Sequence, residues 1–280
     1  MIRVHISILF ALIAASVCAQ RPVRFNNETA DTTIITNTLI ELEKLGNENP
    51  QKLVAEAAKK FIGRPYSAGT LEGTPEMLTV NVDSFDCTTF VETCLAMALT
   101  IENRRSSWHD FDYNLEQIRY RGGNIDGYPS RLHYISDWIV DNSHRGILQE
   151  VTDRIARADY MVKTIDYMSS HRDAYKALTD SANFAGIKNA EIGYRSHRFP
   201  IIKPQNLKTA DIREGDIIAI TTAIKGLDVS HIGIATVING VPHLIHASSK
   251  AGKVISDPLP LQEYLRKNRL TTGIRVIRIK

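Results

Sequence analysis

Cysteine is scarce in this 280-residue chain, which holds three. Cys18 lies near the start, and Cys87 and Cys94 are separated by the segment TTFVET, which reads as helix. Seven residues of helix set two Cα atoms about 10 Å apart, beyond the roughly 7 Å that a disulfide tolerates. A disulfide framework is thereby excluded. Cysteine and histidine also nowhere fall at zinc spacing, so no metal or other cofactor is expected. Long apolar runs are missing beyond the first twenty residues, so nothing reaches the ~18 apolar residues of a membrane span. Net charge is only +3 and carries no long basic run, which removes the electrostatic footprint of a nucleic-acid binder. Internal repeats and low-complexity segments are absent as well.

At the N-terminus, Arg3 precedes an apolar run from about Ile6 to Val17, and Val17-Cys18-Ala19 reads as a small-residue cleavage site. Residues 1–19 are therefore expected to be a secretory signal peptide, and the protein exported, either periplasmic or secreted. Val17 stands where a lipidated cysteine is normally preceded by Ala or Gly, which disfavours Cys18 as a lipid anchor. About 260 residues follow, enough for a single domain over 20–280 with a substantial insertion. An exported chain that keeps unpaired thiols raises the question of what a thiol is for.

Helical patterning runs through IITNTLIELEKL and KLVAEAAKKFIG to Gly63, followed by a Gly/Pro-containing loop and a short strand-like LTVNV. A helix begins at Cys87, with Phe90, Val91, Cys94, Leu95, Ala98 and Leu99 at the spacing of a buried face. From about 106 to 200 the chain is polar, helix-prone and rich in tyrosine and charge, which reads as an insertion. Strand patterns return in DIIAIT, HIGIATVI, HLIHAS and GIRVIRIK. Helices first and an antiparallel sheet afterwards make an α+β fold.

Cys87 is placed to be a nucleophile. The first turn of a helix offers unpaired N–H groups and the positive end of the macrodipole, both of which favour the thiolate, and a nearby imidazole would shuttle its proton. A small buried cysteine at a helix cap would look the same at this level, whereas Cys94, mid-helix among apolar neighbours, reads as structural. If Asn239-Gly240 is a two-residue hairpin turn, Ile238 faces Val241 and His246 faces Gly233. His231 then shares the face of His246 on the diagonal, close enough for the two rings to bond, with Gly233 leaving the space. His231 would act as base and His246 would hold its ring and tautomer. His243 falls on the other face, so HLIH is not a metal pair.

In chain order, GRPYSAGT, SFDCTTFVE, EGDIIAI, SHIGIATV and LIHAS resemble the motif set of the NlpC/p60 superfamily of papain-like cell-wall hydrolases. The insertion segment RYRGGNIDGYPSRLHYISDWI resembles the signature of its N-acetylmuramoyl-L-alanine amidase-like branch, the DUF1460 family. The resemblance spans about Phe61 to Ile277. It implies a papain-like fold with N-terminal helices packed on a small antiparallel sheet, and a Cys87, His231, His246 site. It further implies that Tyr66, with the N–H of Cys87, binds the carbonyl oxygen, and that Asp86 contacts a substrate amine or hydroxyl. Arg121, Tyr128, Arg131, His133 and Asp137 are expected to wall the cleft. The common superfamily version follows the nucleophile with Ser-Gly, and this chain has Thr88-Thr89, which makes the amidase branch the better guide to specificity. The implied reaction is cleavage between muramic acid and L-alanine in peptidoglycan fragments. Cleavage between D-glutamate and the diamino acid, acyl transfer, and non-catalytic binding of wall fragments are the alternatives.

Overall fold

A computed structural model describes residues 22–46 and 48–280. The signal-peptide expectation lies outside the described residues. Three helices lead the fold: α1 (Glu28–Glu43), α2 (Pro50–Lys60) and α3 (Cys87–Glu102). A short parallel pair of strands, β1 (Arg24–Phe25) and β2 (Thr79–Val80), lies between them. The middle of the chain contributes α4 (Trp108–Arg119), α5 (Ile135–His144), β3 (Leu148–Glu150), α6 (Thr152–Ile155), β4 (Asp159–Val162), α7 (Tyr167–Ser170), α8 (Ser181–Gly193) and β5 (Arg198–Ile201). The last third supplies β6 (Ile217–Thr222), β7 (Val229–Ile238), β8 (Val241–Ser248), β9 (Lys253–Ser256), α9 (Leu261–Lys267) and β10 (Thr271–Ile279).

Six of these strands form one antiparallel sheet in the order β3-β10-β6-β7-β8-β9. Both faces are covered. Ile217, Ala219, Ile232, Ile234, Ile245 and Ala247 face the core built with α2 and α3, whereas Ile218, Ile220, Ala235, Leu244, Ile274 and Val276 pack against Leu261 and Leu265 of α9. A strand covered on both sides has no face to give to polar residues, which is why β6 reads as the near-continuous apolar run IIAI. None of the described helices is long and apolar enough to cross a membrane.

The segment 106–200 divides into two parts. Its first half belongs to the main core: Phe111, Leu115 and Ile118 of α4 and Trp138 and Ile139 of α5 are buried in it, and β3 joins the sheet beside β10. Only the second half has a core of its own, where Ile165, Met168, Leu178 and Ile187 gather with Tyr128 and Tyr134. The buried pair Arg119–Glu92, at 2.7 Å, fastens α4 to α3, and Arg119 also donates to the Thr79 carbonyl at 2.6 Å. Removing either partner would leave a buried charge alone, at a cost of roughly 3–5 kcal/mol.

On α4, Asp112 is 6% exposed and neither carboxyl oxygen has a partner. Burial pushes its carboxyl up to about 7, against the pull of Arg119. The folded state thus keeps a proton that the unfolded chain loses near 3.8, so its stabilisation is complete below that pH and is lost as pH rises through 7. Asp112→Asn is therefore expected to raise stability at pH 8 by on the order of 2–4 kcal/mol more than at pH 4, read by urea unfolding at the two pH values.

Candidate active site

Cys87 is the first residue of α3, and the cap ahead of it is closed on both sides. Asp86 Oδ1 accepts from the N–H groups of Thr88 at 3.0 Å and Thr89 at 2.8 Å, and the Asp86 N–H donates to Thr89 Oγ1 at 3.0 Å. This capping box accounts for threonine after the nucleophile position, since its hydroxyl completes the box. Asp86 Oδ1, expected to meet substrate, is committed to holding the helix start. The Cys87 N–H is left as a first-turn donor outside the cap.

Tyr66 is stitched into place beside this turn. Its N–H donates to the Gly252 carbonyl at 2.9 Å, while the Phe85 N–H goes to the Pro65 carbonyl at 3.0 Å and the Ser67 N–H to the Phe85 carbonyl at 2.9 Å. The segment around Tyr66 therefore runs alongside Phe85, two residues before the cysteine. Burial raises the phenol's pKa, and the nearby charges of Cys87 and Asp86 raise it further.

The sheet brings the imidazoles together. Asn239 and Gly240 both have positive φ, 52° and 79°, as a type I′ turn requires, and Ile238 faces Val241. The β7–β8 ladder runs to Ile234–Ile245. Beyond it, the Ile232 N–H goes to the Cys87 thiol, so the sulfur sits against β7 one residue along from His231. His231 Nε2 and His246 Nδ1 are 2.7 Å apart, with the rings nearly perpendicular at 86°. A Cβ on Gly233 would come within 2.9 Å of the Ile245 carbonyl oxygen and 3.0 Å of His246 Cβ, so glycine leaves room for the second ring, as its place opposite His246 led us to expect.

Two further residues stand behind His246 and were not anticipated. Asp257 Oδ2 lies 3.5 Å from His246 Nε2, and the Tyr264 ring meets the His246 ring edge-on at 5.3 Å. Asp257 follows β9 in a turn where its Oδ1 accepts the Leu259 N–H at 2.9 Å. No local pattern ties it to a histidine eleven residues earlier; only the β8–β9 pairing does.

Burial acts on both groups against the helix-end field. Burial pushes the Cys87 thiol up to about 11, the Asp86 charge adds to this, and the Ile232 N–H, Thr88 hydroxyl and its own N–H offset only part. Burial, with His246 beside it, pushes His231 down to about 3. Burial thus works against the charged form of both groups and opposes the field of the helix end.

The residues expected to wall the cleft carry partners of their own. Arg121 grips Asp137 through two nitrogens, at 2.7 and 2.5 Å, and the Tyr194 hydroxyl donates to the same carboxylate at 2.7 Å. Asp137 is 2% exposed and Arg131 6%, so both are buried ion-pair members and not open cleft groups. Arg131 reaches Glu72 at 2.9 Å and Glu76 at 3.2 Å, which ties the middle of the chain to the loop after Tyr66. His133 Nε2 lies 2.9 Å from the Tyr128 carbonyl, and burial pushes this histidine to about 3, with Arg131 adding to the effect.

This fold is shared with solved structures. A N-acetylmuramoyl-L-alanine amidase from Bacteroides uniformis is 42% identical, with a TM-score of 0.79 over 82% of this chain and 99% of that one. A protein from Bacteroides fragilis described as a putative xylanase is 43% identical, with a TM-score of 0.75 over 80% of this chain and 99% of the other. A DUF1460 protein from Legionella pneumophila shares the fold at 23% identity, with a TM-score of 0.67 over 90% of this chain and 95% of that one. No curated protein matches the chain. These likenesses define a hydrolase of the amidase kind. The profile of the N-acetylmuramoyl-L-alanine amidase-like family matches residues 56–274, and the chain belongs to that family.

A thiol raised to about 11 alkylates slowly at neutral pH, because only the thiolate reacts. The rate of Cys87 carbamidomethylation by iodoacetamide should keep climbing with pH beyond 9, while Cys94, fully buried, stays unlabelled in the folded protein. A rate already at its plateau below pH 7 would mean a resting thiolate–imidazolium pair instead.

Proposed function

We propose that this protein is an exported cysteine amidase of papain-like, NlpC/p60 type that hydrolyses the bond between N-acetylmuramic acid and L-alanine in peptidoglycan fragments. The observation that carries this reading is the Cys87 sulfur held by the Ile232 N–H at the ladder's end, one residue from an imidazole that is itself bonded to a second. The Bacteroides uniformis relative bears the name of that activity.

His231 Nε2 is engaged by His246, which leaves Nδ1 to take the thiol proton. As it does so, sulfur attacks the lactyl carbonyl carbon and the carbonyl oxygen becomes an oxyanion, received by the Cys87 N–H and the Tyr66 hydroxyl. Collapse breaks the C–N bond, and the proton on His231 passes to the departing amine of L-alanine. Water then adds to the thioester, with His231 again taking a proton, and releases the muramic acid carboxylate and the thiol.

The glycosidase chemistry named for the Bacteroides fragilis relative calls for two carboxyl groups flanking the scissile bond. Here Asp86 closes a helix cap and Asp257 lies behind His246. With defined muropeptides and mass spectrometry, the wild type should release intact stem peptide, and Cys87→Ala should lose at least about 10³-fold in kcat. Activity retained in that variant would refute the cysteine mechanism, and products retaining L-alanine on the sugar would move the cut into the stem peptide.

A further inference from the structure

We infer that Asp257 is a positioning residue of this site: through His246 it fixes the tautomer that leaves His231 Nδ1 able to accept the thiol proton. The inference rests on the reading of Cys87 and His231 as nucleophile and base, and adds to it a fourth member from outside the motifs.

A neutral imidazole carries one N–H and one bare nitrogen. If His231 Nδ1 is to accept from sulfur, Nε2 must hold the hydrogen and donate it across the 2.7 Å to His246 Nδ1. His246 Nδ1 is then an acceptor, so its own hydrogen lies on Nε2. That atom lies 3.5 Å from Asp257 Oδ2, an ion-pair contact, and has no hydrogen-bond partner among the described residues. A carboxylate accepts and does not donate, so it favours the His246 tautomer with hydrogen on Nε2 and disfavours the reverse. The order at the far end is passed through two rings to the base. Were His246 flipped to the Nδ1–H form, both rings would compete to donate or the His231 Nδ1 would carry the hydrogen, and the thiol would have no acceptor.

Asp257 is built for this. Its Oδ1 is held by the Leu259 N–H at 2.9 Å, its N–H donates to the Leu244 carbonyl at 2.8 Å, and its carbonyl lies 3.1 Å from His243 Nδ1. The carboxylate is thus fixed relative to β8, the strand that carries His246. The other groups around His246 are the Tyr264 ring, which packs edge-on, and His231. Asp257 acts favourably on a His246 cation, so it also steadies the positive charge that arises when His231 is protonated.

The test compares Asp257→Asn and Asp257→Leu with the wild type and with Cys87→Ala. In Asp257→Asn the single amide oxygen stays on the Leu259 N–H, and the NH2 that replaces Oδ2 turns a donor toward His246 Nε2, which favours the reverse tautomer. In Asp257→Leu the acceptor is gone. Side-chain ¹⁵N shifts of His231 and His246 in the substrate-free protein should show both rings protonated on Nε2 in the wild type, a mixture in Asp257→Leu, and a shift toward protonation on Nδ1 in Asp257→Asn. On muropeptides, kcat should fall at least about tenfold in Asp257→Leu with KM little changed, a share of the ~10²–10⁴ that acid–base catalysis contributes. Asp257→Asn should lose at least as much. Its acid limb should move to lower pH, since removing the negative charge makes the imidazolium harder to form. Wild-type tautomers and an unaltered pH profile in folded Asp257→Leu would overturn the inference. The ¹⁵N measurement needs no turnover, so it stands even if Cys87→Ala shows the cysteine reading to be wrong.

Discussion

Everything at this site depends on where two strands stop pairing. β7 and β8 are joined up to Ile234–Ile245, and past that point a main-chain donor inside the protein needs a partner that the ladder no longer supplies. The Ile232 N–H finds it in a sulfur atom at the tip of α3. A helix end, a hairpin and an irregular loop are thereby brought to one place by a requirement of the backbone. The side chains that follow from it, His231 on β7, His246 on β8 and Tyr66 beside Phe85, are positioned by main-chain bonds and not by their own flexible reach.

That location sets the electrostatics. The sulfur is half-buried and a carboxylate stands one residue before it, and both push the thiol's pKa up despite the helix behind it. The imidazole is equally unwilling to be charged. The site's chemistry begins when a carbonyl arrives and gives the developing charge somewhere to go.

Much of this could be read from the sequence because it is governed by short-range rules. Asn239-Gly240 fixes a turn, the turn fixes a register, and the register puts two histidines and a glycine on one face. The spacing of Phe90, Val91 and Cys94 marks a buried helix with Cys87 at its start. The sequence also carried the stripe Phe111, Leu115, Ile118, which shows α4 to be part of the main core; composition drew attention to its polar neighbours instead. Asp257 could not be read in this way, since its relation to His246 exists only after β9 has paired with β8. Burial's upward push on the thiol is a property of the packed molecule, whereas the helix-end field is visible in one segment.

The spacing of the two cysteines has a chemical consequence. Cys94 is sealed in the core on the same helix as Cys87, so no second thiol among the described residues can reach an oxidised sulfur at position 87. A sulfenic acid formed there has no resolving thiol among the described residues. Reduction at that sulfur then calls for a thiol brought to it from elsewhere.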